Sequence, residues 1–184
     1  IDWQKKNHEV KFPFLSHALM ISDFRVSISQ AIKQNKGMEL TQWQQGKELK
    51  DYVKLKGKNL AIVPDAFFTV KHNNGLYNFF LEADRSTMVL DRFLQKISAY
   101  WQWKEEGKHK KRFNIERFRV LTITISEQRK ENIRNIAKNG ISRPAGYPLF
   151  LFACEKSYDF KEPATILKPI WQAPEDENKQ AMFK

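Results

Sequence analysis

The feature that most limits how this chain can fold is residues 60–85, LAIVPDAFFTVKHNNGLYNFFLEADR: two apolar runs separated by His72-Asn73-Asn74-Gly75. Asn-Gly is a strong hairpin signal, because a tight turn needs positive φ at its central positions. Two registers follow. With Asn74-Gly75 in the centre, Asp65 lies opposite Asp84; with Asn73-Asn74, it lies opposite Glu82. Glu82 and Asp84 are two apart on one strand and share a face. Either register therefore gathers Asp65, Glu82 and Asp84 on one side of the hairpin. Pro64 has no N–H for a ladder, so the first strand should kink or bulge beside Asp65 and aim that carboxylate out of the sheet.

Like charges across a strand pair repel, and carboxylates among Val63, Phe67, Phe80 and Leu81 resist desolvation. A hard divalent cation, Mg2+ or Mn2+, turns that repulsion into ligation. The simpler alternative is a solvent-facing acidic side of a hairpin. As a metal site, Asp65, Glu82 and Asp84 are the expected ligands.

Around the hairpin, residues 16–34 keep Leu19, Met20, Phe24, Ile28 and Ala31 at helical spacing, with Ser16 as cap and Gly37 as stop. Asp23 lies one position off that stripe. Residues 39–45 alternate as a half-buried strand, and a lysine-rich loop runs on through Lys58. A second helix is expected from Ser86 or Thr87 to about Glu106, burying Leu90, Phe93, Leu94, Ile97, Tyr100 and Trp101. Arg92, Lys96 and Trp103 fall on an adjacent stripe. Residues 107–112, GKHKKR, read as a basic loop, 118–125 as a strand, Ser126 as the cap of a third helix that Gly140 stops, and 149–153 as an apolar strand. Three strands followed by strands alternating with helices predict an α/β fold: a mixed central sheet flanked by helices. The expected organisation is an arm or linker at 1–15, the α/β domain at 16–158, and a tail at 159–184 that wraps loosely on it with Trp171 as anchor.

Lys plus Arg exceed Asp plus Glu by 32 to 21, a formal net charge of +11, which favours a polyanionic partner, nucleic acid first and an anionic membrane second. The lysines of the first loop (Lys54, Lys56, Lys58), Arg85, and the second cluster (Lys108, His109, Lys110, Lys111, Arg112) are the expected backbone contacts, giving affinity without sequence choice. Trp103 is a candidate to stack on a base or to pack against the tail. Cys154 is the only cysteine, so cysteine-rich zinc and iron–sulfur sites are excluded, which fits a cytoplasmic location. No apolar run approaches the roughly 20 residues that cross a bilayer. The chain begins at Ile1 rather than Met, so we expect a fragment whose N-terminal part is missing. No glycine-rich phosphate loop follows any strand, against a Rossmann-type enzyme, and no Ser-His-Asp signature is present.

With Pro64-Asp65 before the turn and Glu82-Ala83-Asp84 after it, the αβββαβ order resembles the PD-(D/E)xK, restriction-endonuclease-like superfamily. That superfamily usually has lysine two places after the second acid, where this chain has Asp84. The resemblance implies a substitute from the following helix, Lys96 with Arg92 on the same stripe. The runs SHALMISDFR, VPDAFF, FFLEADRST, RFLQKISAY, FRVLTIT and LFLF further resemble the replication-relaxation family of plasmid and mobile-element proteins. Members of that family usually carry a winged-helix segment before this region, and His17 and Asp23 sit where they tend to carry a His and an Asp. The resemblances imply a role in plasmid replication or relaxation, with replication or relaxation proteins as partners. They also imply a magnesium-dependent endonuclease site: Asp65, Glu82 and Asp84 on metal, Lys96 or Arg92 neutralising charge, and Asp23 as a further ligand or water-orienting group. The alternative is a non-catalytic DNA-binding or protein-interaction factor on a degenerate nuclease fold.

Overall fold

A computed structural model describes residues 12–140 and 148–183. Helix α1 (Phe12–Gln34) begins ahead of the expected Ser16 cap, because Pro13 is tolerated in a first turn, where its missing N–H has no intrahelical role. Gly37, at φ 86°, then turns the chain into β1 (Met38–Gln44).

The stretch expected to be a lysine-rich loop is instead a second hairpin, β2 (Asp51–Leu55) with β3 (Lys58–Ile62). Lys56 and Gly57 both take positive φ, 48° and 77°, the conformation whose twist matches paired strands. This hairpin forms a sheet of its own. The chain leaves it at Ile62 and enters the central sheet at Ala66, so Pro64 does not bulge a continuous strand. It marks the crossing between two sheets.

Strands β4 (Ala66–His72) and β5 (Gly75–Asp84) pair from His72↔Gly75 to Ala66↔Leu81, the register that places Asp65 beside Glu82. Only Asn73 of the turn takes a positive φ, 53°, and Gly75 is already a ladder residue. After β5, Ser86 at φ 60° donates its N–H to Asp84 Oδ2 at 3.2 Å, which closes the strand end. Helix α2 (Leu90–Glu105) therefore starts later than expected, with no side-chain cap. The presumed basic loop is a short helix, α3 (Lys108–Phe113). Then follow β6 (Arg119–Thr124), α4 (Glu127–Gly140) and β7 (Phe150–Cys154). Ser126 caps α4 as expected, its Oγ accepting the Arg129 N–H at 3.2 Å.

The tail is not loose. It adds β8 (Trp171–Gln172) and β9 (Lys179–Gln180) to a seven-stranded sheet of order β1-β4-β5-β6-β7-β8-β9. Trp171 and Met182 are fully buried, and Arg119 donates to the Met182 carbonyl. β5, β6 and β7 are parallel and the other pairs antiparallel. This is the expected mixed α/β sheet, with helices on both faces. Alternation sorts its side chains: Phe68, Val70, Phe79 and Leu81 meet α1 and the tail, while Phe67, Phe80, Val120 and Phe150 meet α2, α4 and the β2–β3 hairpin. Glu82 and Asp84 continue the Phe80 series, so α2 and α4 cover them.

Candidate functional site

A cleft of about 570 Å3 opens at the C-terminal end of β5, walled by β3, the Val63–Asp65 crossing and α2. Glu82 forms its floor. The side chain is 3% exposed, and two groups from α2 hold it: Lys96 Nζ pairs with Oε2, and the Tyr100 hydroxyl donates to Oε1 at 2.6 Å. Lys96 and Tyr100 are four apart on one helix face, which is why one element supplies both. Burial pushes the Glu82 carboxyl up to about 7; Asp65 adds to the rise, and Lys96 opposes it. Burial also works against the Lys96 charge, but attraction to Glu82 and Asp65 outweighs it and the ammonium's pKa is raised. Lys96, at 21% exposure, is the better hydrated partner and keeps its proton; the carboxyl is the group whose proton count changes near neutrality.

Asp65 is fixed by backbone. Its N–H donates to the Leu81 carbonyl at 3.0 Å, and its Oδ2 accepts the Ala83 N–H at 2.7 Å. Its Oδ1 lies 3.3 Å from His17 Nε2, reached from α1. The hydrogen bond to Asp65 raises the His17 pKa, over the opposing effect of burial. Asp65, Glu82 and Ala83 thus all line the cleft.

Asp84 also lines the cleft but is closed off. Arg129, from α4, grips it with Nε on Oδ2 at 2.6 Å and Nη2 on Oδ1 at 3.0 Å. Among the described residues no group of three His, Cys, Asp or Glu side chains is placed to hold a metal ion. Asp23 is elsewhere: it lines a separate cavity with Glu155 and Tyr158. Arg92 and Arg85 line the cleft, and Arg85 also lies 3.8 Å from Glu155.

The expected nucleic-acid contacts divide. Lys54, Lys56 and Lys58 stand exposed on the β2–β3 hairpin, whose strand β3 forms a cleft wall. The second cluster is mostly engaged within the protein. Lys108 binds the Tyr52 carbonyl and Glu106, Lys110 pairs with Glu116, and Arg112 binds the Glu48 carbonyl and Asp51. Lys111 is exposed. His109 is 3% exposed against Trp103 and Phe118, and burial lowers its pKa, so it is a core residue rather than a phosphate contact. The tryptophans exchange their expected places: Trp103 is buried with Nε1 on Asp51 Oδ2 at 2.7 Å, while half-buried Trp101 carries the Lys104 ammonium over its ring.

A family model described as replication-relaxation matches residues 1–117, which hold α1 through α3 and with them Asp65, Glu82, Asp84 and Lys96. The chain belongs to the replication-relaxation family. No curated protein and no solved structure matches it. Family membership points to a role in replication and relaxation. No described helix is long and apolar enough to cross a membrane. Arg129 lies beyond the matched segment, so the clamp on Asp84 comes from the part of the chain that the family model does not reach. Two partners were missed from sequence. Tyr100 had a signal, its four-residue spacing from Lys96. Arg129 had none, since only the parallel crossover through β6 brings α4 to the end of β5.

Proposed function

We propose that this cleft is a PD-(D/E)xK-like phosphodiesterase site of the replication-relaxation family, cutting plasmid DNA with Mg2+ or Mn2+ and taking its lysine from α2. The observation that carries the reading is Lys96 Nζ on Glu82 beside Asp65: two acids and an ammonium at one strand end, with the lysine displaced from the position that Asp84 fills.

A hard cation here brings most of its own ligands and shares Glu82 with, or takes it from, Lys96 and Tyr100. Asp65 and Glu82 offer carboxylate oxygens, and magnesium is commonly held by one or two carboxylates with water and substrate phosphate completing the shell. When bound, the ion supplies Lewis acidity and a more acidic water. The chain's own residues do the rest. Backbone bonds and His17 hold Asp65 in place; Lys96 and Arg92 set positive charge where a phosphate under attack gains negative charge. Lys54, Lys56 and Lys58 hold the strand by its phosphates. Hydrolysis adds water across one P–O bond, leaving a phosphate monoester and a free hydroxyl.

The test is cleavage of supercoiled and single-stranded plasmid DNA with Mg2+ or Mn2+. Asp65→Asn and Glu82→Gln should abolish cutting, and Lys96→Met should slow it by about 10^2- to 10^3-fold, each without loss of DNA binding. A second reading draws on the closure of Asp84 by Arg129 and of Glu82 by Lys96 and Tyr100: a DNA-binding accessory factor without turnover. Binding of DNA with no cleavage under either metal would establish it instead.

A further inference from the structure

The outer face of the β2–β3 hairpin runs on into the wall of the cleft. The inner face is packed: Val53 and Ile62 are buried, and Leu60 lies against the same core. The register pairs Tyr52 with Ala61 and Lys54 with Asn59, so by alternation these four share the opposite face, and all four are exposed. Asn59 and Ala61 line the cleft, as does Val63 beyond them. Tyr52 therefore stands one strand away from the cleft wall, about 5 Å across the pair between Cβ atoms. It is 49% exposed, and its cross-strand neighbour is an alanine too small to cover the ring. Lys50 holds its ammonium 5.0 Å from the ring centroid. Lys50, Lys54, Lys56 and Lys58 are all exposed. Unlike Lys108, Lys110 and Arg112, none of the four has an ion-pair partner among the described residues. The four outward residues of the hairpin include no acid.

We propose that this face is a track for single-stranded DNA, with a base stacked on Tyr52 and the neighbouring phosphates held by Lys50 and Lys54. It rests on the reading of the cleft as a phosphodiester site for where the strand leads, and it names the form of DNA that the site takes. In a duplex the faces of the bases lie against one another and only their edges meet a protein. A free face for an aromatic ring belongs to an unpaired base, and stacking on such a ring beside a basic groove is sequence-tolerant. Lysines alone would grip a duplex as well; the uncovered ring among them is what selects the single strand. The depth of the cleft agrees. Glu82 on its floor is 3% exposed, and a flexible single strand can lower one phosphodiester to that floor while a neighbouring base turns outward onto the wall.

Fluorescence anisotropy of the full chain with short labelled oligonucleotides, in EDTA so that no strand is cut, tests it. The probes are an oligothymidylate, an abasic strand of the same length, and the oligothymidylate paired with its complement. The oligothymidylate should bind about 5- to 100-fold tighter than the abasic strand, the yield of one stacked base, and tighter than the duplex. Tyr52→Leu, an apolar replacement at an exposed position, should erase the margin over the abasic strand and leave the affinity for that strand unchanged. Tyr52→Trp should keep or widen the margin. Equal affinity for the two single strands, a duplex bound as tightly as the oligothymidylate, or a margin that survives in Tyr52→Leu would overturn the track. Failure of the cleft reading shows separately, as no cleavage when Mg2+ or Mn2+ is added to the bound strand. A margin that depends on Tyr52 then supports the track as the DNA site of a factor without turnover.

Discussion

Replacing Arg129 by Met tests whether Asp84 is structural. The guanidinium makes two charge-assisted bonds to Asp84, at 2.6 and 3.0 Å, and a third to the Met88 carbonyl, with the two side chains 11% and 5% exposed. Met keeps most of the apolar stem and removes the charge, stranding a carboxylate beneath α4. Removing one partner of a buried pair costs about 3–5 kcal/mol, a fall in Tm of about 6–20 °C for a domain of this size. Thermal and urea unfolding of the single variants Arg129→Met and Asp84→Asn and of the double variant give the coupling. The double variant should recover about 2 kcal/mol of the loss, because no charge is then left alone. A loss under about 1 kcal/mol in Arg129→Met, the level of an exposed ion pair, would refute the reasoning: Asp84 would be hydrated, and free to join Asp65 and Glu82 on a metal.

Two further outcomes follow from the site. The Glu82 carboxyl rises from 4.5 to about 7 on folding, so between those values the folded chain holds a proton that the unfolded chain has released; stability should therefore fall by about 3 kcal/mol as pH climbs through that window and level off above it. Urea midpoints across the window should show this slope in wild type and lose it in Glu82→Gln; equal slopes would remove the buried-carboxyl account. Changing Lys54, Lys56 and Lys58 together to Gln should lower the salt slope of DNA binding by about 2–3, near 0.9 per phosphate contact, measured by fluorescence anisotropy. Arg112→Gln should leave that slope nearly unchanged, because its guanidinium is committed to the Glu48 carbonyl and Asp51.

Periodicity and turn chemistry made the central sheet legible. The Asn-containing turn confined the β4–β5 pairing to two registers, and the structure adopts one of them. What periodicity could not show was where a strand changes sheets. Residues 60–72 read as one strand because the apolar run is nearly continuous, yet Ile62 belongs to the small hairpin and Ala66 to the central sheet. Pro64 was the available sign, read as a bulge. The β2–β3 hairpin was hidden for a related reason: lysine is a poor strand former, and only the Lys56-Gly57 pair betrayed the turn. The tryptophans on α2 were exchanged because a sixteen-residue helix has two adjacent stripes and the sequence does not say which meets the β2–β3 hairpin. Asp51, on β2, settles it by accepting the Trp103 indole N–H.

At the candidate site the local spacings carried over and the long-range pairings did not. Asp65 beside Glu82 follows from hairpin register, and Lys96 above Glu82 from a helix that must return across the sheet to begin a parallel strand. Asp84 shares the Glu82 face, as alternation requires, but its neighbour is decided by the next crossover, which sets Arg129 against it. The distinction bears on chemistry. An acid two places after Glu82 would remain a rival ligand if it faced only solvent. Held by Arg129, it leaves two carboxylates and one ammonium at the strand end, so that the charge which a lysine on β5 would have supplied comes instead from α2. Whether these residues cut a phosphodiester or only grip one then turns on whether a cation can take Glu82 from Lys96 and Tyr100, and the Lys96→Met variant separates the roles of the ammonium: cleavage slowed about 10^2- to 10^3-fold at unchanged metal affinity marks it as part of the reaction, whereas tighter metal binding with cleavage undiminished marks it as a plug.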